Sequence, residues 1–207
     1  MGSETDMGVS VSILVVEDDP DLRSLHRLWL AEDYDVQAVA DGESALEHAD
    51  GTVDVVLLDR DLPGIDGDTV ARRLDSNGFR GSIAMVTGQA PDPSVATLPI
   101  EDYVTKPVDA GELGAVVDRL IARRAVPPSV QTLFGLLTRR ARLEASLDPG
   151  HLADSDSVEE LTQRIDGEWE TVRAETPAAQ VLSMAEECLP PVVDWGRPAE
   201  VVSRIEQ

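Results

Sequence analysis

Lysine is almost absent from this sequence, which contains sixteen arginines but only one lysine, Lys106. Cysteine is equally scarce: Cys188 stands alone, so no disulfide can form within the chain and no oxidising compartment is required. Aromatic residues make up 3% of the chain, and no apolar run approaches the length that spans a bilayer. Residues 1–10, which we expect to be disordered, are polar and lack the apolar core of a signal peptide. We therefore expect a cytoplasmic protein without a membrane-spanning segment.

Negative charge dominates what is present. Forty acidic residues against seventeen basic ones give a net charge of −23, and acids exceed bases on both sides of residue 124. An acid excess with almost no lysine is typical of a protein surface adapted to a salt-rich cytosol, where screening weakens self-repulsion. Such a surface repels phosphate backbones, so direct DNA binding is disfavoured though not excluded. The densest basic group, Arg139, Arg140 and Arg142, is interpreted as a solvated helix face.

Short apolar runs alternate with segments of helical periodicity between residues 12 and 124. This alternation is typical of a parallel sheet with helices on both faces. The predicted strands cover residues 13–16, 35–39, 53–58, 83–86 and 103–105. Between the last two strands, prolines bracket residues 91–99 and predict only a stunted helix. The sequence therefore predicts an α/β fold, a doubly wound five-stranded parallel sheet of the flavodoxin type, in a domain covering residues 11–124.

A small all-α domain is predicted to follow. Consecutive prolines favour an extended linker at residues 125–128, and two apolar helical stripes then predict a helical hairpin over residues 129–175. Such a hairpin buries too little area to stand alone, so we expect it to dock on the first domain or to pair with another chain. Residues 176–207 are a tail to which the sequence assigns no role, with short helices predicted at residues 178–188 and 199–205.

Two local signals within the hairpin place its turn and its second helix. The run Asp148-Pro149-Gly150 predicts a turn between the helices. Ser157, with Glu160 three residues later, predicts the capping box at which the second helix starts.

Polar side chains follow four of the predicted strands. Glu17 and Asp18 come after the first strand, Asp59 after the third, Thr87 ends the fourth and Lys106 follows the fifth. Ligands of an open parallel sheet bind at the carboxyl ends of its strands, so these side chains should gather on one rim. Three carboxylates in one place raise one another's pKa, and Mg²⁺ relieves the repulsion. A carboxylate there can attack phosphorus, while Lys106 and Thr87 stabilise the transferred group.

Each of these residues has an ordinary explanation when it is taken singly. The acidic triplet at residues 17–19 could be a helix cap, Thr87 a β-branched strand residue and Tyr103 a half-buried strand aromatic. Only their combination at matching strand ends argues for a site.

The same residues resemble the receiver domain of two-component response regulators. The matching segments follow the family's order along the chain: Val15-Val16-Glu17-Asp18-Asp19-Pro20, Leu57-Leu58-Asp59, Leu62-Pro63-Gly64-Ile65-Asp66-Gly67, Thr87-Gly88 and Tyr103-Val104-Thr105-Lys106-Pro107. The resemblance implies a phosphoprotein in a phosphorelay, which accepts a phosphoryl group from a sensor histidine kinase and catalyses only its own phosphorylation and dephosphorylation.

The resemblance also implies a role for each matching residue. Asp59 would be the phospho-acceptor, and Thr87 and Lys106 would contact the phosphoryl oxygens. Mg²⁺ would be held by Glu17, Asp18, Asp59 and the backbone carbonyl of Asp61. Tyr103 would be the rotameric switch, and the bond between Lys106 and Pro107 would be cis.

Two features depart from the family's usual pattern. Nineteen positions separate Thr87 from Lys106, which is fewer than usual, so the fourth helix should be shortened or partly unwound. The usual dimer through the fourth and fifth helices is therefore in question, although a homodimer stays open. The acidic side chain of Asp61 lies near the site and could change the lifetime of the phosphoryl group.

The segment following the linker is similar to the HalX output domain that is joined to receivers in halophilic archaea. The matching residues are Leu133-Phe134-Gly135-Leu136-Leu137-Thr138-Arg139-Arg140-Ala141-Arg142-Leu143-Glu144 and Leu152-Ala153-Asp154-Ser155. Two alternative functions stay open at this point. One is a phosphatase of the haloacid dehalogenase type that uses Asp59 and Asp61, and the other is a transcriptional regulator that binds DNA through the C-terminal helices.

Overall fold

The structure, a computed structural model, describes residues 10–193. The stretch predicted to be disordered at residues 1–10 lies outside this range except for Ser10, and so does the short helix predicted at residues 199–205.

The predicted sheet is confirmed, with all five strands parallel and in the order β2-β1-β3-β4-β5. The strands are β1 (Ser12–Val16), β2 (Asp35–Val39), β3 (Val55–Leu58), β4 (Ser82–Thr87) and β5 (Asp102–Thr105). Every residue of β3 and β4 is buried, as expected for central strands that are covered on both faces. The strand order reverses between β1 and β3, which is where such sheets bind their ligands.

Helices cover both faces of the sheet. The four that belong to the βα units are α1 (Pro20–Leu30), α2 (Gly42–His48), α3 (Gly67–Ser76) and α4 (Ala110–Arg124). Helices α1 and α4 share one apolar core with the sheet, while α2 and α3 pack against the opposite face. Asp109 and Glu112 form the predicted capping box at the start of α4. The stunted helix is confirmed as a single 3₁₀ helix (Pro93–Thr97), called the 3₁₀ segment below.

The C-terminal part of the described chain contains four helices, where the sequence predicted a hairpin and a further short helix. They are α5 (Pro128–Ser146), α6 (Pro149–Ala153), α7 (Asp156–Glu175) and α8 (Ala178–Cys188). The short helix predicted at residues 178–188 is confirmed as α8. The division into domain, linker and hairpin stays a prediction, and α5 begins at the last residue of the predicted linker.

Two local predictions in this region are wrong. Residues 149 and 150, predicted as part of a turn, are the first two residues of α6. The fixed φ of Pro149 suits the first residue of a helix as well as it suits a β-turn. The capping box of Ser157 and Glu160 does not form. Helix α7 already begins at Asp156, with Ser155 at the N-cap, and the acidic Asp156 and Glu159 complement the helix dipole in its first turn.

The C-terminal helices dock on the α/β unit, which was one of the two expected outcomes. Helices α5 and α7 pack on each other and on the 3₁₀ segment, and α5 also contacts β5. Buried side chains of α5, α7 and α8 join the apolar core on the α3 side of the sheet. Within the described residues, no helix is long and apolar enough to cross a membrane.

The interpretation of Arg139, Arg140 and Arg142 as a solvated face is wrong for two of the three residues. Arg139 is buried, and its guanidinium donates to backbone carbonyls. Arg142 pairs with the buried carboxylate of Asp102 at 3.0 Å. The interpretation is correct only for Arg140, which forms a partly exposed i,i+4 pair with Glu144 on its own helix.

Arg123 at the end of α4 connects the C-terminal helices to the sheet by hydrogen bonds. Its side chain is 2% exposed and donates to the carbonyls of Cys188 and Glu101, both at 2.8 Å, and to the hydroxyl of Thr138 at 2.7 Å. These acceptors lie at the end of α8, before β5 and in α5. One guanidinium thus joins three parts of the chain that are far apart in sequence.

Replacing Arg123 by methionine should lower the free energy of unfolding by about 3 kcal/mol, because it leaves buried acceptors without donors. Methionine keeps the apolar volume of the side chain, so the loss reports on hydrogen bonding. Urea unfolding measures the change. The adjacent Arg124 pairs at the surface with Asp54, and Arg124→Met should lose no more than about 1 kcal/mol. Equal losses in the two variants would contradict the anchoring role of Arg123.

Candidate functional site

The predicted site residues lie at the carboxyl edge of the sheet because the backbone ladder continues past the strands. The amide of Asp59 donates to the carbonyl of Val16 at 2.9 Å, next to Glu17. The amide of Lys106 donates to the carbonyl of Thr87 at 2.7 Å. Residues that directly follow parallel strands are therefore held side by side.

The side chains of Glu17, Asp18, Asp59 and Lys106 meet at this edge. The Nζ atom of Lys106 lies 2.6 Å from Oε2 of Glu17 and 2.5 Å from Oδ2 of Asp59. One carboxylate oxygen from each of the three acids lies within 4.8 Å of the others. Glu17 and Asp59 are buried, whereas Asp18 is exposed. The single lysine of the chain thus bridges two buried carboxylates.

Burial and charge act against each other at this cluster. Burial raises the pKa of Glu17, and the hydrogen bond from Lys106 only partly offsets the effect. Burial alone would lower the pKa of Lys106, but the hydrogen bonds to Asp59 and Glu17 outweigh it and raise that pKa. Lys106 therefore stays protonated at neutral pH and supplies a fixed positive charge beside Asp59.

His26 closes the inner side of the cluster without joining it as a cation. Burial lowers the pKa of His26, and the nearby Lys106 lowers it further, so the ring is neutral at neutral pH. Its Nδ1 lies 3.8 Å from Oε2 of Glu17, and its ring packs against Trp29 with a centroid distance of 5.7 Å.

The oxygen atoms of the cluster fit the implied Mg²⁺. Hard carboxylate oxygens are the ligands this ion prefers in proteins. Oε1 of Glu17 is buried and has no hydrogen-bond partner within the described residues. A buried oxygen of this kind is costly unless a proton or a cation completes it. The donor set therefore suits a small divalent ion.

Thr87 and Tyr103 flank the cluster, with no hydrogen bond to its four side chains. Thr87 is fully buried, and its hydroxyl accepts weakly from the amide of Gln89 at 3.4 Å. Tyr103 is 1% exposed, and its hydroxyl donates to the carbonyl of Gln89 at 3.0 Å. Burial raises the pKa of Tyr103, and the nearby positive charge of Arg60 opposes this shift. Tyr103 thus points inward, towards the loop after β4.

Asp61 and the peptide bond before Pro107 complete the predicted set. The amide of Asp61 donates to Oδ1 of Asp59 at 3.1 Å, which orients the central carboxylate. The exposed side chain of Asp61 accepts from Nε2 of Gln89 at 2.5 Å. The bond between Lys106 and Pro107 is cis, as the resemblance implies.

Sequence reasoning missed Arg60, the residue directly after Asp59. Its guanidinium forms a two-pronged pair with Asp68, with both N–O distances at 2.9 Å, and reaches Asp92 at 2.6 Å and the hydroxyl of Ser94 at 2.7 Å. The side chain is 11% exposed. An arginine adjacent to the central aspartate was the only signal in the sequence, and nothing in the spacing pointed to its partners.

Gly67 at the start of α3 lets that helix approach the loop that carries Asp59. A Cβ atom at this position would lie 2.3 Å from the carbonyl oxygen of Asp59 and 2.8 Å from Cα of Arg60. The amide of Gly67 also donates to the carbonyl of Arg60 at 2.9 Å. Only a residue without a side chain fits here, which accounts for the glycine.

A Gly67→Ala substitution should therefore lower the free energy of unfolding by about 1–3 kcal/mol, because the backbone must shift to admit the methyl group. Urea unfolding checks the result. Gly114 in α4 is a matched control, since a Cβ there meets nothing within 4 Å, and Gly114→Ala should stabilise the helix by up to about 1 kcal/mol. An unchanged midpoint for Gly67→Ala would show that the contact is not restrictive.

The fold and the site together define a class: an α/β domain with a lysine-bridged acidic cluster at the carboxyl edge of a parallel sheet. The family model of the response regulator receiver domain matches residues 13–118, and the chain belongs to this family. The model of the HalX domain matches residues 122–181.

Individual relatives agree with the family matches. A protein of Haloferax volcanii, named provisionally as a transcriptional regulator, is 37% identical over 168 residues, which cover 81% of this chain and 28% of that protein. The transcriptional regulatory protein TcrA of Mycobacterium tuberculosis is 40% identical over 128 residues, 59% of this chain and 50% of TcrA. The chain thus spans half or less of the length of these two relatives.

A solved structure agrees as well. The BeF₃-activated receiver domain of DrrB has a TM-score of 0.50 and 28% sequence identity. The alignment covers 54% of this chain and 97% of that domain.

Proposed function

We propose that this protein is the response regulator of a two-component phosphorelay, in which Asp59 accepts a phosphoryl group from a phosphohistidine of a sensor histidine kinase. The observation that carries the proposal is the bridge from Lys106 to Asp59 and Glu17 at the switch point of the sheet. A fixed ammonium beside a buried carboxylate suits the transfer of a group whose charge is spread over several oxygens.

The proposed metal site consists of Glu17, Asp18, Asp59 and the backbone carbonyl of Asp61. Bound there, Mg²⁺ would neutralise the carboxylates and polarise the phosphoryl oxygens. Oε1 of Glu17 supports this assignment, because it is buried and otherwise unpaired within the described residues.

In the proposed transfer, a carboxylate oxygen of Asp59 forms a bond to phosphorus as the P–N bond of the phosphohistidine breaks. The electron pair of the broken bond stays on the imidazole nitrogen, and Asp59 carries an acyl phosphate. Lys106 would turn its ammonium from carboxylate to phosphoryl oxygens, and Thr87 would donate its hydroxyl. The amide of Asp61 holds the oxygen of Asp59 that does not attack. Tyr103 would respond to the new position of Thr87 as the switch.

The proposed output is a change in how the α/β unit contacts its C-terminal helices or a protein partner. Direct DNA binding is not favoured, because the net charge is −23 and two of the three clustered arginines are engaged within the fold: Arg139 is buried and Arg142 pairs with Asp102. The phosphatase alternative is not favoured either. It needs Asp61 as a general acid, whereas the side chain of Asp61 is held by Gln89.

One experiment separates the phosphorelay proposal from the phosphatase. The full chain is incubated with Mg²⁺ and a small phosphodonor, the intact mass is measured over time, and the modified peptide is mapped. A persistent adduct of one phosphoryl group on the peptide that contains Asp59 is the expected result. Rapid multiple turnover of diverse phosphate esters without an adduct would overturn the proposal.

A further inference from the structure

The 3₁₀ segment is held at its beginning by the residue next to the proposed phospho-acceptor. Arg60 donates to Asp92, which caps the segment, and to Ser94 in its first turn. Asp92 in turn accepts from the amide of Ser94 at 2.8 Å. The network is largely buried at Arg60 and half-exposed at Asp92, and its charge-assisted hydrogen bonds are stronger than a fully exposed ion pair. The position of Arg60 therefore fixes where the segment starts.

The other end of the segment is held by a residue of α5. Nη1 of Arg139 donates to the carbonyl of Ala96 at 3.4 Å and, at short range, to the carbonyl of Leu98. Burial is the main cause that lowers the pKa of Arg139 to about 10, so the side chain is still charged at neutral pH. A buried cation whose hydrogen bonds all go to carbonyls is sensitive to their positions, with the nearby carboxylate of Glu101 offsetting part of its lost hydration.

Between these two contacts the segment packs against α5 and α7, which are called the output helices below. Val95, Ala96 and Leu98 are buried in the same apolar core as Leu161 and Ile165 of α7. Both α5 and α7 contact the segment directly. Movement of the segment therefore changes the packing of both helices.

We propose that the 3₁₀ segment is the coupling element of this protein, held by Arg60 at the site and by Arg139 in α5, through which modification of Asp59 alters the packing of α5 and α7. The inference rests on the proposed function. It assigns a positioning role to Arg60 and Asp92 and an intramolecular route for the signal.

Competition between anions for the guanidinium of Arg60 determines whether the segment becomes looser or tighter. Phosphorylation converts the carboxylate of Asp59, of charge −1, into an acyl phosphate of charge about −2, so the residue next to Arg60 gains about one negative charge. Arg60 binds Asp68 through two nitrogen atoms but Asp92 through one. The contacts to the segment are one nitrogen on Asp92 and a hydrogen bond to the neutral hydroxyl of Ser94, and they are lost before the two-pronged pair with Asp68 when a new anion attracts the guanidinium. Modification should therefore loosen the segment and the helices above it.

Hydrogen exchange on the full chain tests the route, with Mg²⁺ alone and with Mg²⁺ plus beryllofluoride as a phosphoryl mimic. Amides at residues 84–89 report on the site, and those of α7 (Asp156–Glu175) report on the output helices. Beryllofluoride should slow exchange at residues 84–89 and speed exchange in α7 by about fivefold, the low end of ordinary coupling between sites.

Two variants each remove one partner of the ion pair between Arg60 and Asp92, and a third variant serves as a control. Arg60→Gln and Asp92→Asn should both keep the response at residues 84–89 and lose the response in α7. Asn retains a capping oxygen, so Asp92→Asn keeps the inference testable if Arg60→Gln fails to fold. Arg73→Gln removes an exposed arginine of α3 and should respond like the wild-type protein.

The outcomes separate the two proposals. No response at residues 84–89 in the wild-type protein would overturn the proposed function and the coupling with it. A response at the site without one in α7 would overturn the coupling alone. So would equal responses of α7 in the wild-type protein and in Asp92→Asn.

Discussion

An Asp59→Asn variant is expected to form no phosphoryl adduct with Mg²⁺ and a small phosphodonor. The amide keeps the size of the carboxylate but is a far weaker nucleophile, so the acyl phosphate cannot form. The fold should persist, because the substitution also removes one of three crowded negative charges. Intact mass spectrometry gives the adduct, and circular dichroism gives the fold.

Asp61→Asn is the matched control for this experiment. It removes a neighbouring carboxylate from the same loop, and its side chain lies outside the group bridged by Lys106. The adduct should still form, and any change should be in its lifetime. An adduct on the Asp59→Asn protein would place the acceptor elsewhere. If the Asp61→Asn protein neither forms the adduct nor hydrolyses phosphate esters, the phosphatase hypothesis is supported.

The sheet and the members of the site could be predicted because both follow from the order of the residues along the chain. A short apolar run bounded by polar and turn residues favours a strand that is covered on both faces, and parallel strands end at one common rim of the sheet. Glu17, Asp59 and Lys106 each follow such a run. Their proximity is therefore a consequence of parallel pairing.

The network around Arg60 could not be predicted in this way. Asp92 and Ser94 lie more than thirty positions from Arg60, and nothing in the chain distinguishes Asp92 from the many other acids. Arg139 was misjudged for a related reason. Its burial depends on how α5 docks on the 3₁₀ segment, and a basic run on a helix is ordinarily solvated. Partner choice among charged side chains is set by tertiary packing.

The start of α7 was missed for a local reason. Ser155 and Ser157 both precede the apolar stripe, and either can serve as an N-cap. The Glu at position 160 favoured Ser157, but the helix begins one residue earlier, at Asp156, with Ser155 at the N-cap. Boundaries shift by a residue or two whenever two similar caps compete.

Replacing Lys106 by methionine should lower both the stability of the protein and the rate of phosphoryl transfer. Without the ammonium, the buried carboxylates of Glu17 and Asp59 lose their shared counter-charge. Breaking a buried pair in this way should lower the free energy of unfolding by about 3 kcal/mol in the presence of a chelator. Adduct formation should also slow by about 10²-fold or more, because a preorganised charge beside the transferred group is lost.

Metal dependence identifies the cause of the Lys106→Met effect. Added Mg²⁺ should restore part of the lost stability, since a cation among the acids replaces the missing charge. Arg23 provides the control: its guanidinium lies beside the same loop but donates to the carbonyls of Glu17 and Asp18. Arg23→Gln should lose about 1 kcal/mol with little response to Mg²⁺. Equal losses in both variants, insensitive to Mg²⁺, would mean that Lys106 acts through packing and not through its charge.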